Sequence, residues 1–199
     1  MFFRKIGAIL IILMIFTGFS VYNSKKLSEQ ISIREPAIFE INGNIAIMVG
    51  IINENIVEEV ENLINNHPEV KTIIMLNVPG SVNSNANLKA GRIIRTNNIS
   101  TVVPKNGYIA SGGTVFFCAG VNRTVEKGAK VGVHSWKNDV VTDASKIPKN
   151  NSFHRPYVIY FKEMGISDEF YWFMISSAPS FGMYYLNDYE LKKYGIITG

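Results

Sequence analysis

Beyond residue 36 the chain alternates short apolar runs with polar, turn-forming segments, and the spacing of the apolar positions switches between the strand and helix periods. Residues 37–41 and 44–49 are two apolar, β-prone runs joined by Asn42-Gly43, a pair in which both residues accept positive φ. They predict a β-hairpin. Ile56, Val57, Val60, Leu63 and Ile64 then recur at helical spacing behind Asn53-Glu54-Asn55, and Asn65-Asn66-His67-Pro68 ends that helix. Residues 72–76 form a continuous apolar run, which predicts a strand covered on both faces. Strand, helix, strand in this order implies a parallel pair with a right-handed crossover.

The pattern repeats. Asn77-Val78-Pro79-Gly80-Ser81-Val82 reads as a sharp turn, residues 88–95 as a second helix, and residues 100–103 as another short strand. Residues 108–119 make a third strand-turn-helix unit. Three such units predict an α/β domain, in which ligands bind beyond the carboxyl ends of the strands, where the Gly80 and Ser111 turns fall together. Residues 124–133 supply further strand with a Lys127-Gly128 turn, and residues 137–151, polar and aperiodic, predict an exposed loop flanking the site. Residues 153–164 and 167–177 read as helices, the first with His154-Arg155 as a surface start and the second capped by Ser167. Asn187-Asp188-Tyr189-Glu190 resembles a capping box for a last short helix ending at Gly195.

The N-terminus is organised differently. Arg4-Lys5 precede an uncharged, mostly apolar stretch over residues 6–22, followed by Asn23, Ser24, Lys25 and Lys26, the layout of a secretory signal or a signal anchor. A stretch of about 17 residues sits at the lower limit of a spanning helix. Thr17-Gly18-Phe19-Ser20 offers a mediocre cleavage site, which favours an uncleaved anchor, and the lack of a following cysteine excludes a lipoprotein anchor. This divides the chain into residues 1–24 as anchor or signal peptide, 25–36 as linker and 37–199 as the domain. The domain is expected on the extracytoplasmic side of a membrane, or secreted or periplasmic if the segment is cleaved.

With 47% hydrophobic residues the 199-residue chain can bury one sizeable core. The net charge of +4 is not gathered into a basic stripe, so a nucleic-acid partner is set aside. The single cysteine, Cys118, lies in an apolar run and reads as a buried thiol, which excludes an intramolecular disulfide and a cysteine metal cluster. No metal and no cofactor are expected.

Candidate chemistry centres on Ser111. It stands between the apolar Tyr108-Ile109-Ala110 and Gly112-Gly113, at the start of a helix whose free N–H groups and dipole suit an oxyanion. Val131-Gly132-Val133-His134 is an alternating strand that carries an imidazole. Of these residue types alone, Ser-Gly-Gly also fits a plain turn and the histidine also fits a structural role.

The ordered set of motifs resembles the Clp protease proteolytic subunit and the wider crotonase-like superfamily, closest to small exported or membrane-linked Clp-like proteins of bacteria. Four stretches carry the resemblance: Asn77-Val78-Pro79-Gly80-Ser81-Val82, Ala110-Ser111-Gly112-Gly113-Thr114, Val131-Gly132-Val133-His134, and the closing segment over residues 185–198. It implies a β-α-β spiral core with Ser111 as nucleophile and His134 as general base. The N–H of Gly112, with that of Gly80 or Ser81, would form the oxyanion hole. His67 and His154 lie elsewhere in the pattern, which leaves His134 as the base candidate.

Two departures from the family pattern stand out. Ser81 replaces the second glycine of the first turn, and no carboxylate stands in Phe181-Gly182-Met183-Tyr184, where the family's aspartate is expected. The third acid is therefore unassigned. Asp188 is near in sequence but belongs to a helical turn, and Asp139, Asp143 and Asp168 are reachable only by an unusual path. The resemblance implies a serine hydrolase, a peptidase acting on peptide or protein substrates through a Ser-His dyad or a triad with a relocated acid. The alternative is a degenerate member kept as a binding or oligomerisation scaffold. A crotonase-type enzyme acting on coenzyme A esters is disfavoured by the exported placement. The aromatic excess over residues 170–173 and at Tyr184 and Tyr185 suits either a subunit interface or a single core, and the resemblance implies a homo-oligomer.

Overall fold

The structure, a computed structural model, describes residues 35–198. The expected N-terminal segment and most of the linker lie outside them. Among the described residues no helix is long and apolar enough to cross a membrane.

Strands β1 (Ile38–Asn42) and β2 (Ile45–Val49) form the expected antiparallel hairpin, with Asn42 opposite Ile45. The two turn residues are therefore Gly43 and Asn44, one position later than the sequence suggested, and only Gly43 has a positive φ, 58°. Helix α1 (Ile56–Asn66) follows, burying Ile56, Val60 and Leu63, and leads to β3 (Thr72–Val78), which pairs in parallel with β2. β3 buries Ile73, Met75 and Val78 while Thr72, Ile74 and Leu76 are half-buried, so one face is fully covered and the other only partly.

Helix α2 (Ser84–Thr96) begins earlier than its apolar residues indicate, because Asn83 caps it by accepting the Ala86 amide. It leads to β4 (Ser100–Val103), then β5 (Tyr108–Ala110), α3 (Gly112–Phe117), β6 (Arg123–Val125) and β7 (Lys130–Val133). β3 is the branch point: Thr72, Ile73 and Ile74 pair with β4, while Asn77 and Val78 pair with β5. β4 continues to β6 and β5 to β7, all parallel, so the strands spiral into two diverging arms. Helices α1, α2 and α3 pack one against the next, with α1 also against β1 and α3 against β5 and β7.

Helix α4 (Arg155–Glu163) crosses α2 at Gly91, where a side chain would collide with the ring of Tyr160, whose hydroxyl donates to Val115 O. Helix α5 (Asp168–Ser177), capped by Ser167, carries the aromatic cluster. Phe170 and Tyr171 are buried, Phe173 packs on Tyr194 and Tyr184, and Trp172 meets the edge of His154. His154 is 2% exposed and bonded to the Tyr171 hydroxyl, so it is a core residue rather than the surface helix start that its polar neighbours suggested. β8 (Tyr184–Tyr185) returns antiparallel on β7, and α6 (Asp188–Lys193) opens on a capping box between Asn187 and Glu190 and ends at Gly195, φ 68°.

Candidate active site

Three adjacent parallel strands deliver the residues singled out in the sequence to one edge of the sheet. β3 ends at Val78 and runs into Gly80-Ser81, β5 ends at Ala110 and runs into Ser111, and β7 ends at Val133 and runs into His134. Val78 pairs with Ile109, and Ala110 with Gly132. The carboxyl ends of the three strands therefore coincide, and Ser111, Gly112, Gly80, Ser81 and His134 are all half-buried there, within reach of solvent.

The Ser111 turn is sharp. Its φ of 53° and ψ of −122° fall where glycine is usual and an L-residue is strained by about 1–3 kcal/mol. Tertiary bonds impose this conformation. Gly132 O accepts both the Ser111 amide, at 3.0 Å, and the Thr114 hydroxyl, at 2.8 Å, which ties the first turn of α3 to β7. Asn87, 2% exposed on α2, donates to Gly112 O at 2.8 Å, and its Oδ1 has no partner among the described residues.

The Gly80-Ser81 turn lies directly against Ser111-Gly112. A Cβ at Gly80 would stand 3.8 Å from that of Ser111, and one at Gly112 would stand 2.7 Å from Ser81 N. Ile52 pins the turn by donating to Gly80 O at 3.0 Å and accepting from Val82 N at 2.9 Å. Ser81 Oγ is engaged with the backbone of Asn83, and Ser81 is not among the positive-φ residues, so serine meets no backbone strain there. The amides of Gly80, Ser81 and Gly112 have no acceptor among the described residues, which leaves an uncommitted donor in each of the two turns.

The Nδ1 of His134 donates to Ser135 O at 2.7 Å. A carbonyl can only accept, so a neutral imidazole held this way carries its proton on Nδ1 and exposes a lone pair on Nε2. That is the form a general base requires. Among the described residues no hydrogen bond joins His134 to Ser111 or to a carboxylate. Asp188, exposed in the first turn of α6, follows β8, which runs antiparallel to β7 with Leu186 N bonded to Val131 O, so the chain at Asp188 has passed toward the opposite end of β7. Asp143 comes nearer: its Oδ1 accepts from Ser145 N at 3.0 Å, and Ser145 N also donates to the hydroxyl of Ser135, the residue after His134.

Sequence reasoning missed Ser135 and Asn87. The second left a faint signal, a polar residue on the apolar stripe of a helix; the first left none, because its partners come from distant loops. Cys118 is fully buried as expected, and desolvation pushes its thiol up to about 12, the nearby Arg123 and Arg95 only partly opposing.

No family model matches the chain, and no curated protein matches it in sequence. Solved structures do match. One is the 1510-N membrane-bound stomatin-specific protease as a lysine-to-alanine variant in complex with a substrate peptide, with TM-score 0.51, 17% identity, and coverage of 79% of this chain and 75% of that one. A serine-to-alanine variant of the same protease has TM-score 0.50, 16% identity, and coverage of 79% of each chain. The likeness shows the fold: the described domain has the Clp protease-like, crotonase-like architecture that its motifs led one to expect.

Proposed function

We propose that the protein is a serine peptidase in which Ser111 is the nucleophile and His134 the general base, acting on peptides or membrane-proximal proteins outside the cytoplasm. The observation that carries this reading is the convergence, on one sheet edge, of a strained serine, a tautomer-fixed histidine and amides without an acceptor among the described residues. Ser111 Oγ attacks the scissile carbonyl as its proton passes to His134 Nε2. The displaced π electrons collect on the carbonyl oxygen, where the amides of Gly112 and of Gly80 or Ser81 receive it. Collapse of that intermediate breaks the C–N bond, and His134 returns the proton to the leaving amine; water then cleaves the acyl-serine ester by the same route. Solved proteins of this fold include a membrane-bound protease with a bound substrate peptide, which supports a peptide substrate and association with a membrane.

A second reading, a scaffold that binds without cutting, is favoured by one observation: His134 has a carbonyl where the family places a carboxylate. Fluorophosphonate labelling of the full-length protein separates the two. The peptidase labels, and Ser111→Ala and His134→Ala do not; a folded wild type that refuses the label is the scaffold. Sizing of the same sample tests the homo-oligomer that the fold resemblance implies.

A further inference from the structure

Ser135 is fully buried between two half-exposed neighbours, His134 and Trp136, and every polar atom it has is engaged. Its amide donates to Ala178 O at 2.8 Å, its hydroxyl accepts from Ser145 N at 3.0 Å, and its carbonyl accepts from His134 Nδ1 at 2.7 Å. That carbonyl lies in the peptide unit joining Ser135 to Trp136, and both ends of the unit are held: Ser135 through its amide and hydroxyl, Trp136 through its own carbonyl, which accepts from Ala144 N at 2.9 Å, and its indole, which donates to the Tyr171 hydroxyl at 3.0 Å. The direction in which Ser135 O points, and with it the tautomer of His134, is therefore set by what holds Ala178, Ala144 and Ser145 in place.

Asp143 does this. Its Oδ1 accepts from Ser145 N at 3.0 Å and Ser145 Oγ at 2.7 Å, capping the short 3-10 turn Ala144–Lys146. Its Oδ2 accepts from Ser180 N at 3.3 Å, two residues beyond Ala178, and Ser180 Oγ adds a bond to Thr142 O at 3.0 Å. Ala144 N returns to Trp136 O at 2.9 Å, closing the loop onto the base strand. Burial works against the Asp143 charge, but bonds from Ser135, from Ser145 through side chain and backbone, and from Ser180 outweigh it and hold the carboxyl at about 2, ionised at any pH at which an imidazole acts as a base.

We propose that Asp143 is the positioning residue of this site: it clamps the loops around Ser135 so that the Ser135 carbonyl keeps His134 in the Nδ1-protonated form. The proposal rests on the reading of Ser111 and His134 as a catalytic pair. In a Ser-His-Asp triad the acid both orients the imidazole and faces its positive charge. Here the orienting task falls to a backbone carbonyl, and the carboxylate supports it from one residue away, across two loops distant in sequence.

The test is the tautomer of His134, read from long-range proton–nitrogen correlations of the full-length, ¹⁵N-labelled protein above the imidazole titration, together with kcat and KM on a peptide ester. The wild type is expected to show a bare Nε2. Asp143→Ala is expected to shift a substantial fraction of His134 to the Nε2-protonated form and to lower kcat roughly tenfold to a hundredfold with KM within about twofold, as loss of an outer supporting group does. Asp143→Asn keeps an acceptor for Ser145 but loses one for Ser180, and is expected to fall between the two; it decides the matter if the alanine variant does not fold. A wild-type tautomer and kcat in the folded variants overturn the proposal. If the wild type proves inactive yet the tautomer still shifts in the variants, the clamp stands and the peptidase reading fails instead.

Discussion

Gly112 packs so closely on Ser81 that a methyl group at position 112 would overlap the Ser81 side chain and come within 2.7 Å of its amide nitrogen. The two turns that face the site therefore touch through backbone. Gly112→Ala should push them apart, misplacing amide donors from both. We expect stability to fall by about 1–3 kcal/mol and fluorophosphonate labelling to slow by roughly a hundredfold or more, measured on the folded fraction.

Strain at Ser111 gives a separate handle. Its φ of 53° and ψ of −122° are comfortable for glycine and not for a residue with a Cβ. Ser111→Gly should be more stable than Ser111→Ala by about 1 kcal/mol in urea titrations, although both lack the nucleophile. Equal midpoints for the two variants would place the serine in an unstrained turn.

Arg123 is 4% exposed and has no carboxylate partner among the described residues; its guanidinium donates to the carbonyls of Ile196, Gly120 and Gly195 at 2.9, 2.8 and 2.9 Å. It fastens the C-terminal segment to the centre of the fold. Removing it strands the carbonyls of Ile196 and Gly195, while Gly120 O keeps a bond from Arg95 at 2.8 Å, so Arg123→Ala should cost on the order of 3 kcal/mol in thermal or urea unfolding.

The Cys118 thiol, pushed up to about 12 by burial, is neither accessible nor ionised in the native protein. A disulfide reagent at pH 8 should leave it untouched until denaturant is added, and then titrate one thiol per chain. Rapid native labelling would mean that the α3 region opens.

Asp143 sets an acid limit. Its folded value, about 2, lies below the ordinary 3.8, so its contribution to stability is full above about pH 4 and is lost as pH falls through about 2. Exchange of the Ser145 and Ser180 amides, corrected for intrinsic chemistry, should accelerate across that window in the wild type. In Asp143→Asn the acceleration should be absent.

Local pattern was enough to read the elements, because hydrophobic period, turn chemistry and capping act over a few residues. The hairpin, the three strand-turn-helix units and the capping box at Asn187 all follow from that spacing. The one-residue error at the hairpin turn has the same origin: Asn42-Gly43 and Gly43-Asn44 carry equivalent propensities, and cross-strand pairing chose between them.

What the tertiary structure alone decided is which distant groups meet. The branching of β3 brings Gly80, Ser111 and His134 to one edge, a consequence of sheet pairing that residue types only suggested through their resemblance to a known order. His154 looked exposed beside Arg155 and is buried, because the partner that accommodates its imidazole, Tyr171, comes from another helix. Asp143, set aside on sequence distance, approaches the base strand for the same reason. A carboxylate is placed by the loop that carries it, and that loop is fixed by bonds to Ser135 and Trp136 at the end of the base strand and to Ser180, more than forty positions further along the chain and adjacent to them only in space.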